Sequence, residues 1–290
     1  MTGILLIDKP TGWTSSDVVA KLRGVLHEKR IGHSGTLDPM ATGLLVLFVG
    51  RATRAVQFAE AQDKRYLASL RLGLTTDTQD VTGTVLAERD ASAVTEARLR
   101  AALVGFLGAQ QQLPPMYSAV KVGGRKLYEI ARRGGQVERK PRPITITRLD
   151  LLGREGEDWL LDVGCSKGAY VRTLCHDLGE SLGCGGCLSA LRRTEAGAFW
   201  VEAAHSIDEV IAAAAEGRAE TLLLPLDSLF AAYPAHTAPA ALERAVRCGN
   251  PGALDAPEGE CRLYGADGAF LALGRVAQGI FTTIKSFFEV

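Results

Sequence analysis

Apolar and polar positions along the chain sort into two periods. Gly3 to Ile7 is a short unbroken apolar run that predicts a buried strand, and Lys9-Pro10-Thr11-Gly12 after it predicts a turn. Val18, Val19, Leu22, Val25 and Leu26 recur at helical spacing, so a helix is expected there, capped by Ser15 or Ser16. Leu44 to Val49 is apolar throughout, consistent with a strand covered on both faces. Further strands are predicted at Tyr66 to Leu72 and Trp159 to Cys165. Helices are predicted over Thr95 to Leu107, with Leu99, Ala102, Leu103 and Phe106 inward, and over the segment marked by Val171, Leu174, Leu178 and Leu182, ending near Gly183. Ser206 and Glu209 form a capping-box pattern for a helix that stops at Gly217. Past Tyr233-Pro234 the texture changes to short segments punctuated by Gly and Pro, with weak strands at Cys261 to Tyr264, Phe270 to Val276 and Gly279 to Ile284. A domain boundary is therefore expected near residue 232, dividing the chain into 1–232 and 233–290.

The 290 residues are 47% hydrophobic, enough for a substantial core, and the formal net charge is zero. Whole-chain charge thus gives no hint of a polyanionic partner, and any nucleic-acid surface must be local. One local excess exists. Between Lys121 and Arg148 stand nine basic residues (Lys121, Arg125, Lys126, Arg132, Arg133, Arg139, Lys140, Arg142, Arg148) against Glu129 and Glu138. Flanking prolines (Pro114-Pro115 and Pro141) and the pairs Gly123-Gly124 and Gly134-Gly135 suggest a mobile insertion, about 114–148, that grips an RNA backbone with salt-sensitive affinity. The first apolar run is too short for a signal peptide and nothing approaches the roughly 20 residues of a membrane helix. Six thinly spread cysteines read as free thiols, so a cytoplasmic protein is expected. Cys184-Gly-Gly-Cys187 lacks the second ligand pair that a zinc site needs.

The richest segment for chemistry is Gly32-His33-Ser34-Gly35-Thr36-Leu37-Asp38-Pro39-Met40-Ala41-Thr42-Gly43. Pro39 disfavours the helical conformation for Asp38, and Gly35 and Gly43 permit close approach of another backbone or a ligand. Ser34, Thr36 and Thr42 can bond a carboxylate or order the turn. An aspartate so presented could act as nucleophile or base, although an Asp-Pro in isolation would read as a simple Asx-turn. No dinucleotide fingerprint or phosphate loop is present, so no nucleotide cofactor is expected.

The loop together with Leu44-Leu45 resembles the signature of the bacterial tRNA pseudouridine-55 synthases, the TruB family. Matches follow in order at Asp8-Lys9-Pro10 with Trp13-Thr14-Ser15, Asp63-Lys64-Arg65-Tyr66, Tyr117 to Lys121, and Cys165 to Leu174, over roughly residues 3 to 230. The resemblance implies a pseudouridine synthase fold: an α+β domain with a mixed, largely antiparallel central sheet and flanking helices, followed by a small β-rich PUA-like RNA-binding domain. It implies Asp38 as catalytic aspartate, Tyr66 as the aromatic that stacks on the target base, and Arg172 as the partner of Asp38. His33, Tyr170 and Leu191 would line the pocket or touch substrate, and Lys9 and Pro10 would support the catalytic loop. Ala169 departs mildly, where relatives often carry Thr. The implied reaction converts uridine 55 in the T loop of tRNA to pseudouridine without cofactor or metal, by a monomer that needs neither membrane nor guide RNA. Attack on the ribose, addition to the uracil ring and ribose deprotonation all require an ionised Asp38, and the residues do not choose among them. Two rivals are an RNA-binding or tRNA-folding module with secondary catalysis, and a nucleoside or glycoside hydrolase. The latter usually needs a second carboxylate about 5 to 10 Å away. At the start of a helix Arg172 meets the positive end of the macrodipole, a cost of typically 0.3 to 1 kcal/mol that a nearby anion offsets.

Overall fold

The computed structural model describes residues 1–288. Its first strand, β1 (Gly3–Lys9), leads through the Pro10–Gly12 turn into α1 (Ser15–Val25), then β2 (Ile31–His33), β3 (Thr42–Val49), the short α2 (Val56–Glu60) and β4 (Lys64–Leu72). A hairpin, β5 (Leu74–Thr76) and β6 (Val85–Glu88), precedes α3 (Glu96–Val104) and β7 (Gly108–Gln112). A small excursion holds β8 (Lys121–Val122), β9 (Arg125–Lys126) and α4 (Leu127–Ala131) before the chain returns as β10 (Arg142–Glu155) and β11 (Asp158–Cys165). Then come α5 (Val171–Ser181), β12 (Gly186–Ala196), β13 (Phe199–Trp200) and α6 (Ile207–Ala215).

Among the described residues these strands build one nine-stranded sheet whose main order is β1-β3-β12-β4-β11-β10-β7. Every pairing is antiparallel except β12 with β3, and that one joins at only two positions, Arg192 to Thr42 and Arg193 to Gly43. The sheet is thus pinched there, at the start of β3. Only glycine fits at 43: its φ is +95° and a Cβ would collide with the Arg193 backbone.

The apolar run of β3 is explained by burial on both faces. Leu44, Val46 and Phe48 join one core cluster, while Leu45, Leu47 and Val49 join another that includes Val18, Val19 and Leu22 of α1. A third cluster lies under β4, β11 and β12, where Ala68, Leu70, Leu161, Val163 and Leu188 pack against Leu174 and Leu178 of α5 and Leu99 and Leu103 of α3. The Ser206–Glu209 capping box of α6 is present.

Three local expectations differ from the structure. The cap of α1 is Thr14, whose hydroxyl accepts from the Asp17 N–H while Asp17 returns the bond; Ser15 is fully buried and turns inward instead. The basic excursion closes at about residue 141, because Arg142 to Arg148 already run in β10, where the buried Asp162 carboxylate and Asp150 hold Arg148. Within the excursion, Gly123-Gly124 forms the turn of the β8–β9 hairpin rather than a loose linker. The third is a helix beyond the expected boundary, α7 (Ala240–Arg247). It accompanies a second sheet, ordered β14-β16-β17-β18-β15, from β14 (Ala235–Thr237), β15 (Gly252–Ala253), β16 (Gly259–Tyr264), β17 (Phe270–Ala277) and β18 (Ile280–Ser286). This sheet is fastened to the first by aromatic packing. Phe230 meets Phe58 edge-on and lies against Tyr233, Phe270 and Phe287. Among the described residues no helix is long and apolar enough to cross a membrane.

Candidate active site

Asp38 sits in the loop between β2 and β3, and the residues on either side of it are pinned. The buried Ser15 hydroxyl accepts from the Leu37 N–H at 2.9 Å and donates to the Leu37 carbonyl at 3.2 Å. On the other flank the Gly12 N–H donates to the Pro39 carbonyl at 2.8 Å, and Thr11 donates to the Met40 carbonyl at 3.3 Å. Lys9 lies beneath, wholly buried, and its ammonium donates to the carbonyls of Pro10, Trp13 and Pro39 at 2.9, 2.7 and 3.4 Å. Residues 9 to 15 therefore form a clamp that holds the Asp38 loop through its backbone.

Burial pulls the Lys9 pKa down from 10.5 to about 8, with Asp38 acting in the opposite direction. Between about pH 8 and 10.5 the unfolded chain therefore holds a proton that folded Lys9 has shed, so the contribution of Lys9 to stability rises with pH across that window. The expected result is that Lys9→Met loses more stability relative to wild type at pH 10 than at pH 7, read from urea unfolding at both values. Its turnover should also fall, on the order of 10-fold or more, because the loop is no longer fixed.

Arg172, the second residue of α5, meets Asp38 bidentately: Nε donates to Oδ2 at 2.8 Å and Nη2 to Oδ1 at 3.2 Å. The guanidinium is nearly wholly buried while the Asp38 side chain keeps 36% of its exposure. Its remaining donors are engaged too, Nη1 with the Thr78 carbonyl at 2.9 Å and Nη2 with the Tyr117 carbonyl at 2.8 Å. A second carboxylate, Asp80, lies 3.8 Å from Nε and is buried. The Thr78 and Thr82 hydroxyls and the Thr82 N–H donate to Asp80 Oδ1, leaving Oδ2 turned to Arg172. This places a positive charge between a partly open carboxylate and a closed one.

Tyr66 stands half-buried on β4, packed on the cluster that contains Leu37, Ala41 and Leu191. Burial raises its pKa, and the adjacent Arg193 guanidinium works against that rise. Arg193 is fully buried, donating from Nε to the Leu44 carbonyl at 2.6 Å and from Nη2 to the Gly35 carbonyl at 3.2 Å. Lys64 is similarly caged by the carbonyls of Ala59, Glu60 and Gln62, and burial lowers its pKa to about 8. His33, on β2, is half-buried; burial lowers its pKa, Arg193 adds to the effect, and its Nδ1 has no hydrogen-bond partner. The Thr42 hydroxyl turns to the Leu191 carbonyl rather than to Asp38.

An open cleft of about 560 Å³ adjoins the pinch, lined in part by Thr11, Met40, Thr42, Val81, Leu191 and Arg192. That size falls within the roughly 300–1,000 Å³ of small-molecule sites. Of the residues singled out in the sequence, Leu191 lines it directly; Asp38 is attached through its neighbours Met40 and Thr42. Tyr170 is the N-cap residue of α5, two positions before Arg172. Asp80, Lys64, Arg193 and Gln112 were not assigned roles from the sequence. Lys64 and Arg193 left a usable signal, since in alternation with Tyr66 and Leu191 each falls on the inward face of its strand. Cys184 and Cys187 are buried, and among the described residues no group of three or more His, Cys, Asp or Glu is placed to hold a metal ion.

Comparison with known proteins fits this architecture. The chain is similar to one in the crystal structure of a Cbf5-Nop10-Gar1 complex (TM-score 0.75, 26% identity, 99% of this chain and 85% of the other). It shares its fold with a chain of an H/ACA RNP bound to a substrate RNA containing 2'-deoxyuridine (TM-score 0.74, 24% identity, 99% and 85%). The fold is that of the pseudouridine synthases. Residues 23–171 match the N-terminal domain of the TruB family pseudouridylate synthases, and residues 172–231 match the tRNA pseudouridylate synthase B C-terminal domain. Relatives named tRNA pseudouridine synthase B include one from Opitutus terrae, 50% identical over 72% of this chain and 87% of its own length. Another, from Thiobacillus denitrificans, is 45% identical over 96% of this chain and 93% of its own, so the likeness extends through the second sheet. The chain belongs to the TruB family.

Proposed function

We propose that this chain isomerises the uridine at position 55 in the T loop of tRNA to pseudouridine, with Asp38 as its essential carboxylate and no cofactor. The observation that carries the proposal is the bidentate pairing of a partly open Asp38 with the buried Arg172, in a backbone-clamped loop beside a cleft. Each of the three candidate routes requires an ionised carboxylate, and the Arg172 fork holds both Asp38 oxygens in one orientation. The reaction breaks the bond from base nitrogen to ribose, turns the uracil and rejoins it through carbon, so nothing is oxidised and no group leaves the enzyme.

A base stacked inside a folded loop must be extruded before it can react, and the flipped base needs a flat support. Tyr66 supplies it, with His33, Tyr170 and Leu191 as further substrate contacts. Stacking contributes on the order of 1 to 3 kcal/mol per base. Tyr66→Phe is therefore expected to keep tRNA affinity and Tyr66→Ala to weaken the reactive complex by about 10-fold, measured as single-turnover rate against tRNA concentration. Residues 233–290 act as a PUA-like second RNA-binding surface, and the hairpin excursion with its exposed Lys121 and Arg125 grips the RNA backbone. The protein works in the cytoplasm as a monomer, without guide RNA.

The deciding experiment is incubation with unmodified tRNA followed by mapping of new pseudouridine. Pseudouridine at position 55 is the expected product. Free uracil would point to a hydrolase, and tRNA binding with no new pseudouridine would point to a folding module.

A further inference from the structure

The segment that delivers Tyr170 and Arg172 to the site is short, and α5 has no side-chain cap of its own: its N-cap is Tyr170, and no side chain of the helix start accepts the free N–H groups there. The loop from Ser166 to Tyr170 folds back across the sheet. It is tied to β10 by two bonds, the Ser166 N–H donating to the Thr145 carbonyl and the Thr145 N–H donating to the Ser166 hydroxyl, both at 2.8 Å. The chain then reaches β7, the outermost strand in the sheet order. There the last residue, Gln112, is buried and faces it.

Gln112 meets the Tyr170 backbone with both ends of its amide. The Tyr170 N–H donates to Gln112 Oε1 at 2.7 Å, and Gln112 Nε2 donates to the Tyr170 carbonyl at 3.0 Å. A glutamine amide has the same donor and acceptor pair as a peptide group, so the side chain acts as one more rung of β-type pairing. Backbone pairing cannot continue at this point, because Pro114-Pro115 follow and proline has no N–H to donate. The Tyr170 carbonyl also accepts the first helical bond, from the Leu174 N–H at 3.0 Å. One side chain therefore fixes the point where loop becomes helix, two residues ahead of the arginine that holds Asp38.

We propose that Gln112 is a positioning residue: by gripping the Tyr170 peptide from the neighbouring strand it sets the start of α5 and so the aim of Arg172 at Asp38. The inference rests on the reading of Asp38 and Arg172 as the reacting pair, since a misplacement of about 1 Å is enough to cost on the order of 100-fold in rate. Gln112 touches no part of the cleft and acts only through Tyr170.

Two variants of the full chain test it, Gln112→Leu, which removes both bonds, and Gln112→Glu, which retains an acceptor but sets a carboxylate oxygen against the Tyr170 carbonyl. Both are expected to lower the single-turnover rate on saturating tRNA by about 10- to 100-fold, with the tRNA dissociation constant within twofold of wild type. Deuterium exchange in the peptide 166–174 should rise at least about 10-fold in both, while β11 keeps its protection. The inference is overturned if either variant reacts within twofold of wild type, if affinity falls in step with rate, or if exchange at 166–174 is unchanged. The exchange reading needs no turnover, so a wild-type protein that makes no pseudouridine would defeat the functional proposal while leaving the positioning contact separately measurable.

Discussion

Asp38→Asn is expected to lower pseudouridine formation by more than about 10³-fold while tRNA affinity stays within about threefold of wild type. Asparagine fills the same space and can still accept from Arg172, so the clamp made by Ser15, Gly12, Thr11 and Lys9 has no reason to move. What it lacks is the negative charge that attack on ribose, addition to uracil and ribose deprotonation all demand. The separation between a lost chemical step and a retained complex is the informative part. It is read by comparing single-turnover yield with filter-binding affinity on the same unmodified tRNA. An asparagine variant that retained even a tenth of the wild-type rate would remove Asp38 from the chemistry.

The second large effect is expected at Arg172, where two variants fail for different reasons. Arg172→Met strands the buried Asp80 carboxylate beside an apolar side chain and frees the carbonyls of Thr78 and Tyr117. Removing one partner of a buried ion pair typically costs about 3 to 5 kcal/mol, so this variant should unfold at clearly lower denaturant and be inactive. Arg172→Lys restores a charge and should recover much of that stability. A single ammonium cannot span both Asp38 oxygens and two carbonyls at once, because only the planar guanidinium presents donors in a fork. Its rate should therefore remain about 100-fold below wild type. Urea unfolding combined with single-turnover kinetics separates the two quantities. A lysine variant with full activity would show that the site needs charge alone and not the fork.

Much of the framework was legible because it depends on local period. The unbroken apolar run Leu44 to Val49 fitted a strand covered on both faces, and it is sandwiched between two core clusters. Ser206 and Glu209 announced α6, and Leu174 with Leu178 announced α5. The start of α1 was misplaced for an instructive reason. Thr14, Ser15 and Ser16 are all competent caps by residue type, and the choice fell to Thr14 because Asp17 stands three residues on, while Ser15 is drawn inward by Leu37. Asp80 and Gln112 read as ordinary polar residues, since nothing local marks a polar side chain as buried. Arg148 read as part of an RNA-gripping run because its partner Asp162 lies on the neighbouring strand.

By itself the sequence determined the strands and helices whose hydrophobic spacing is local, and through its ordered motifs the family to which the chain belongs. It also marked Asp38 as the carboxylate of interest through the likeness of its loop to the family signature, since Pro39 and the surrounding glycines by themselves would fit a simple Asx-turn. The family resemblance pointed to Arg172 as its partner, but only the tertiary structure showed the bidentate geometry and brought Asp80 and the carbonyls of Thr78 and Tyr117 to the same guanidinium. Arg172 lies 134 positions away from Asp38, at the start of a helix that follows β11, while Asp38 precedes β3. Contacts of that span depend on sheet order and register, which no local spacing encodes.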